Sequence, residues 1–140
     1  MKNKMTIAAL VLVGFLAGIT TQTLYSAERP GRVKPKVLMM QELKELGKRG
    51  MVIELNVDPG AGSPAHKHPG HVFGYVVEGE FEVQVDDGET KLHNPGEVFY
   101  EPDGAVHTVG RNPSPTDPAK IVVFMLVDPD LPVTSIVHEH

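Results

Sequence analysis

A chain of 140 residues has room for one ordinary domain and little more. Its formal charge of −5, with the Lys and Arg residues scattered, offers no basic footprint and excludes nucleic acid as a partner. The absence of Cys removes disulfides, thiolate nucleophiles, Cys-ligated zinc and iron–sulfur clusters, so any metal must be held by His, Asp or Glu.

The chain opens like an export signal. Lys2 and Lys4 precede an uncharged apolar run from about Met5 to Ile19, followed by polar Thr20 to Thr23 and then Leu24-Tyr25-Ser26-Ala27. The run falls short of the ~20 residues that carry a helix across a bilayer. Residues 1–27 are therefore expected to be a cleaved signal, leaving a periplasmic or secreted protein with no membrane association. Residues 28–36 carry two Pro, one Gly and four basic side chains, the composition of a linker or N-terminal arm. The folded domain is expected to span 37–140.

Val37 to Met40 reads as a first strand, and Gln41 to Gly47 as one short helical turn stopped by Gly47. From Met51 onward strands and turns alternate. Met51–Val57 ends at Asp58-Pro59-Gly60, Val72–Val77 ends at Glu78-Gly79, and the strictly alternating Phe81–Val85 ends at Asp86-Asp87-Gly88, a hairpin signal. Further runs are Thr90–His93, Val98–Glu101, Ala105–Gly110 and Ile121–Val127, the last two separated by a Pro-rich loop at 112–118. With 14 Gly and 12 Pro and no helical interludes, seven or eight such strands predict an all-β fold, a single antiparallel sandwich or barrel.

Three His lie close together at His66, His68 and His71, and a fourth, His107, follows the Pro102-Asp103-Gly104 turn. Residues two apart on a strand share a face, so His66 and His68 can aim at one point, and His107 from another strand is the natural third ligand. The surroundings of these residues resemble the cupin family. Its first motif, G-x5-H-x-H-x3-E-x6-G, is similar to Gly60 through His66, His68 and Val72 to Gly79. Its second, G-x5-P-x-G-x2-H-x3-N, is similar to Gly96, Pro102, Gly104 and His107, with Arg111 at the Asn position and Asn112 one place later. The resemblance covers roughly residues 50–127. It implies a jelly-roll barrel, a divalent transition metal (Fe, Ni, Co, Cu, Zn or Mn) on His66, His68 and His107, a small-molecule ligand or substrate, and a homodimer. Some relatives with three-His sites are dioxygenases, so a dioxygenase-like enzyme and a non-enzymatic metal or small-molecule binder or sensor are both open.

One departure matters. Val72 stands where the family has its ligand Glu. On a regular strand His71 points away from the metal, and it becomes a fourth ligand only if Pro69-Gly70 shifts the register by a bulge. Glu101 is the other source of a replacement, as a substitute carboxylate or a catalytic acid or base, although a Glu at a strand end is more often a solvated charge. Phe73, Tyr75, Phe81, Phe99 and Tyr100 read as core. Arg111 reads as surface, with the neutralisation of an anionic substrate as its alternative, and His138-Glu139-His140 as a frayed end.

Overall fold

A computed structural model describes residues 31–138; the expected signal, the start of the arm and the last two residues lie outside that range. Among the described residues eleven strands follow one another: β1 (Val33–Leu43), β2 (Lys48–Val57), β3 (Gly62–Ser63), β4 (His66–Lys67), β5 (Gly70–Glu78), β6 (Phe81–Val85), β7 (Lys91–His93), β8 (Val98–Glu101), β9 (Val106–Arg111), β10 (Ala119–Val127) and β11 (Ser135–Ile136). Every pairing is antiparallel. One sheet has the order β1-β2-β10-β5-β8, and the other β11-β4-β9-β6-β7 with β3 added beside β9. This is the expected all-β jelly roll. No helix among the described residues is long and apolar enough to cross a membrane.

The core lies between the sheets because the strands alternate. Along β5 every second residue from Gly70 to Val76 is buried, and along β10 every second residue from Ala119 to Val127. The inward set of Ile53, Val72, Val76, Phe81, Ile121, Val123 and Met125 forms one apolar cluster. Burying side chains of this size, at about 1.5–3 kcal/mol each, is what holds a small fold without disulfides together.

Three differences from the sequence reading have local causes. The first strand begins at Val33, inside the expected linker 28–36, because Val33 to Val37 pair with Ile53 to Val57, and Asp58 holds the arm through Lys34 Nζ at 2.7 Å and the Arg32 amide at 3.1 Å. Two-residue strands at 62–63, 66–67 and 135–136 carry too short a pattern to be seen in sequence. Phe73, Tyr75 and Tyr100 are half-exposed rather than core, since they occupy the outward positions of β5 and β8, whereas Phe81 and Phe99 point inward. The expected helical turn is a 3-10 turn over Lys44–Leu46, ended by Gly47 in the left-handed conformation (φ 59°), which glycine adopts without strain.

Candidate metal centre

His66 lies on β4 and His107 directly opposite it on β9, so the ladder itself sets their imidazoles side by side. His68 follows two residues after His66. The ring centroids of His66 and His68 are 4.8 Å apart, and those of His66 and His107 5.0 Å. Nitrogens about 2.1 Å from a shared ion put neighbouring imidazole centroids on the order of 5 Å apart, and the His66–His68 and His66–His107 pairs stand at about that separation.

Two of the rings are tethered through Nδ1 to backbone carbonyls, and the third has a carboxyl oxygen near the same atom. His66 Nδ1 is bonded to the Pro64 carbonyl at 2.8 Å, His68 Nδ1 to the Val133 carbonyl at 2.7 Å, and His107 Nδ1 lies 3.1 Å from Glu101 Oε1. An Nδ1–H donated to an oxygen fixes the tautomer that leaves Nε2 bare. His107 Nε2 is a buried nitrogen with no hydrogen-bond partner, a costly state for a protein that puts nothing there. Among the described residues no group of three or more His, Asp or Glu side chains has, as placed, the geometry to hold a metal ion. The donor set nevertheless fits a borderline transition metal: imidazoles pre-oriented through Nδ1, with an acid at their side.

Burial sets the protonation of the cluster. Desolvation, with His66 and His68 nearby, pushes His107 down to about 4, and burial likewise lowers His68, so both are neutral and free to act as ligands near pH 7. Glu101, only 4 % exposed, is pushed up to about 7 by burial. It therefore exchanges its proton in the neutral range.

Glu101 is thus no solvated charge. Its partner across the β5–β8 ladder is Val72, and both face the interior, where Val72 is 2 % exposed. The carboxylate absent at position 72 has a counterpart one strand over, its Oε2 3.9 Å from His68 Nε2. His71 is corrected as a fourth ligand. The β5–β10 register runs without a shift from Gly70 to Val76, so no bulge turns His71 inward, and its Nδ1 meets the Tyr100 hydroxyl at 2.7 Å on the outer face. Arg111 points outward, paired with Glu82. Asn112 is a residue whose importance sequence reasoning passed over: fully buried, its amide donates to the carbonyls of Val57, Asp58 and Asp117 and pins the Pro-rich loop.

The cluster closes one end of a chamber of about 220 Å³. Its walls come from both sheets, from the arm through Val33 and Pro35, and from the C-terminal segment through Val133, Thr134 and Ile136. That segment pairs β11 with β4 and supplies the carbonyl that holds His68.

Comparison with known proteins agrees with this architecture. The family model described as a cupin domain matches residues 53–125. A protein with a double-stranded beta-helix domain from Klebsiella pneumoniae superposes with TM-score 0.60 at 19% identity, over 77% of this chain and 86% of that one. The DMSP lyase DddQ from Ruegeria pomeroyi gives 0.63 at 17% identity over 75% of this chain, which spans 51% of the lyase. KdgF from Halomonas sp. gives 0.52 at 28% identity, over 66% of this chain and 77% of that one. Among curated proteins none matches.

Proposed function

The chain belongs to the cupin family, and we propose that it is an exported enzyme of dioxygenase-like type, holding a divalent transition metal on His66, His68 and His107 and acting on a small oxygenated or aromatic compound. The observation that carries this reading is the gathering of three imidazoles beside Glu101 in an apolar chamber, with His66 and His68 tethered through Nδ1 and His107 Nε2 buried with no hydrogen-bond partner among the described residues.

A metal bound there supplies Lewis-acid activation of a substrate oxygen and, if it is iron, copper or nickel, reaction with O2. The protein's own groups do the rest. The Pro64 and Val133 carbonyls hold His66 and His68 in one tautomer. Glu101 orients His107 and, because burial raises it to about 7, holds or releases a proton at its carboxyl oxygens. The apolar walls keep bulk water from the reacting end. A lyase in the same fold, DddQ, is similar in architecture only.

A second reading, a metal or small-molecule binder or sensor, is favoured by one observation: among the described residues, Glu101 is the sole titratable side chain lining the chamber apart from the three imidazoles. The N-terminal apolar run, read as a cleaved export signal, supports action in the periplasm or outside the cell, with the mature chain beginning near Glu28 and free of the membrane. Two copies are proposed to pair through the outer face of β5, β8 and β10, where Phe73, Tyr75, Tyr100 and Phe124 are each 41–49 % exposed.

Metal analysis of untagged protein from its native compartment tests the reading. One transition-metal ion per chain, lost in His66→Ala and His107→Ala and kept in His71→Ala and His138→Ala, is expected, together with O2 uptake on diketones, flavonols or catechols. Metal retention without uptake under any first-row metal favours the binder, and a metal-free native protein overturns both metal-dependent readings. The mass of the mature chain tests cleavage.

A further inference from the structure

We propose that the chamber's ligand is a compact, uncharged molecule with a hydrophobic body and its oxygen atoms at one end, a phenol or ketone rather than a sugar acid, amino acid or phosphate ester. The orientation of that oxygen end toward the imidazoles rests on the metal reading above; the character of the body does not.

The polar groups of the chamber are gathered at one end. His66, His68, His107 and Glu101 form the cluster, and the remaining polar side chains stand beside it: Ser63 Oγ donates to the Gly110 carbonyl at 3.4 Å, and Thr134 Oγ1 lies 3.4 Å from His68 Nδ1. The walls beyond are hydrocarbon, with Ile53, Leu55, Phe81, Val123 and Met125 among them. No Lys, Arg, Asn or Gln lines the chamber among the described residues.

Of the five cations next in sequence to lining residues, Arg32, Lys36 and Lys67 are exposed at the surface, and the other two are paired with carboxylates. Arg111, next to Gly110, pairs with Glu82, and Lys34, between Val33 and Pro35, pairs with Asp58. A carboxylate or phosphate at the far end would lose its water and meet no counter-charge, and in the metal-free chamber one at the near end would face Glu101. Sugar hydroxyls would go unpaired against the apolar walls, the penalty by which such sites reject polar ligands. A chamber of about 220 Å³ also lies below the ~300–1,000 Å³ of sites for drug-sized ligands, which fits a single ring.

The test is calorimetric titration of the full mature protein with p-cresol and with 4-hydroxybenzoate, which share ring and hydroxyl and differ by a far-end carboxylate. Both the zinc-loaded and the metal-free forms are titrated, with zinc content measured alongside. At pH 7.5 p-cresol is expected to bind the metal-free form at least about tenfold more tightly. Leu55→Arg, which adds a cation to a partly buried wall position, is expected to shift the ratio toward 4-hydroxybenzoate by about tenfold or more. Val123→Phe, filling the chamber, is expected to abolish p-cresol binding while zinc is retained.

Equal or tighter binding of 4-hydroxybenzoate by the unsubstituted metal-free protein, no measurable p-cresol binding, or a ratio unmoved by a folded Leu55→Arg overturns the proposal. A protein that holds no zinc but still prefers p-cresol removes the metal reading and leaves the ligand class standing. Zinc binding without the preference does the reverse.

Discussion

At the scale of single residues, the balance of the site turns on Glu101. A carboxyl that folding moves from 4.5 to about 7 through burial binds its proton more tightly in the native state than in the unfolded chain. Stability from this group is therefore present below about pH 4.5, falls as pH rises through about 7, and stays lost above it. His107 has the opposite sign: lowered from 6.5 to about 4 by burial, it makes stability rise between those values. In metal-free protein Glu101→Gln removes the first effect and keeps the second. The variant is expected to be the more stable form at pH 8, by on the order of 2–3 kcal/mol, with the difference closing below pH 5. Chelator-treated melts at the two pH values measure it, and a Gln variant less stable than the parent at pH 8 contradicts the burial assigned to Glu101.

At the scale of elements, two short pieces govern the chamber. The C-terminal segment pairs β11 with β4, donates the Val137 amide to the Ala65 carbonyl at 2.9 Å, and offers the Val133 carbonyl to His68. A chain ending at Pro132 loses the group that orients His68, so its zinc affinity is expected to fall about 10–100-fold. Competition with a chromophoric chelator reads this, and an unchanged affinity removes the orienting role of the segment. Gly74 on β5 is the second piece. A Cβ there would run into the ring of Phe99, whose edge occupies that space. Gly74→Ala is expected to destabilise by about 1–3 kcal/mol and to narrow the chamber as Phe99 moves. Denaturant unfolding checks it, and a neutral effect shows that Phe99 yields without disturbing its neighbours.

At the scale of the molecule, one sheet is unlike the other. The outer face of β5, β8 and β10 carries Phe73, Tyr75, Tyr100 and Phe124, with Phe73 and Tyr100 rings 5.0 Å apart, and at the other side of the same sheet, beyond β2, β1 leaves Val37 to Met40 about half exposed along an edge unpaired among the described residues. Monomeric proteins seldom leave such a surface open to water. Sedimentation is expected to find a dimer that Phe73→Glu with Phe124→Glu converts to a folded monomer; a monomeric parent protein rules the pairing out.

The amino-acid sequence by itself determined the strand-and-turn grammar, an antiparallel sandwich or barrel that the motif resemblance narrowed to the jelly roll, and three of the four groups in the cluster. Those properties reside in alternation, in Gly and Pro placement and in the H-x-H spacing, all of which act over a few residues. Only the tertiary structure decided the rest. Whether Glu101 is solvated or buried depends on Val72 standing opposite it on β5, and whether His71 turns in or out depends on an unshifted register with β10. That Val133 holds His68 follows from a contact across 65 residues. The facing of a side chain is set by which strand lies beside it and in what register, and that pairing is a property of the whole fold.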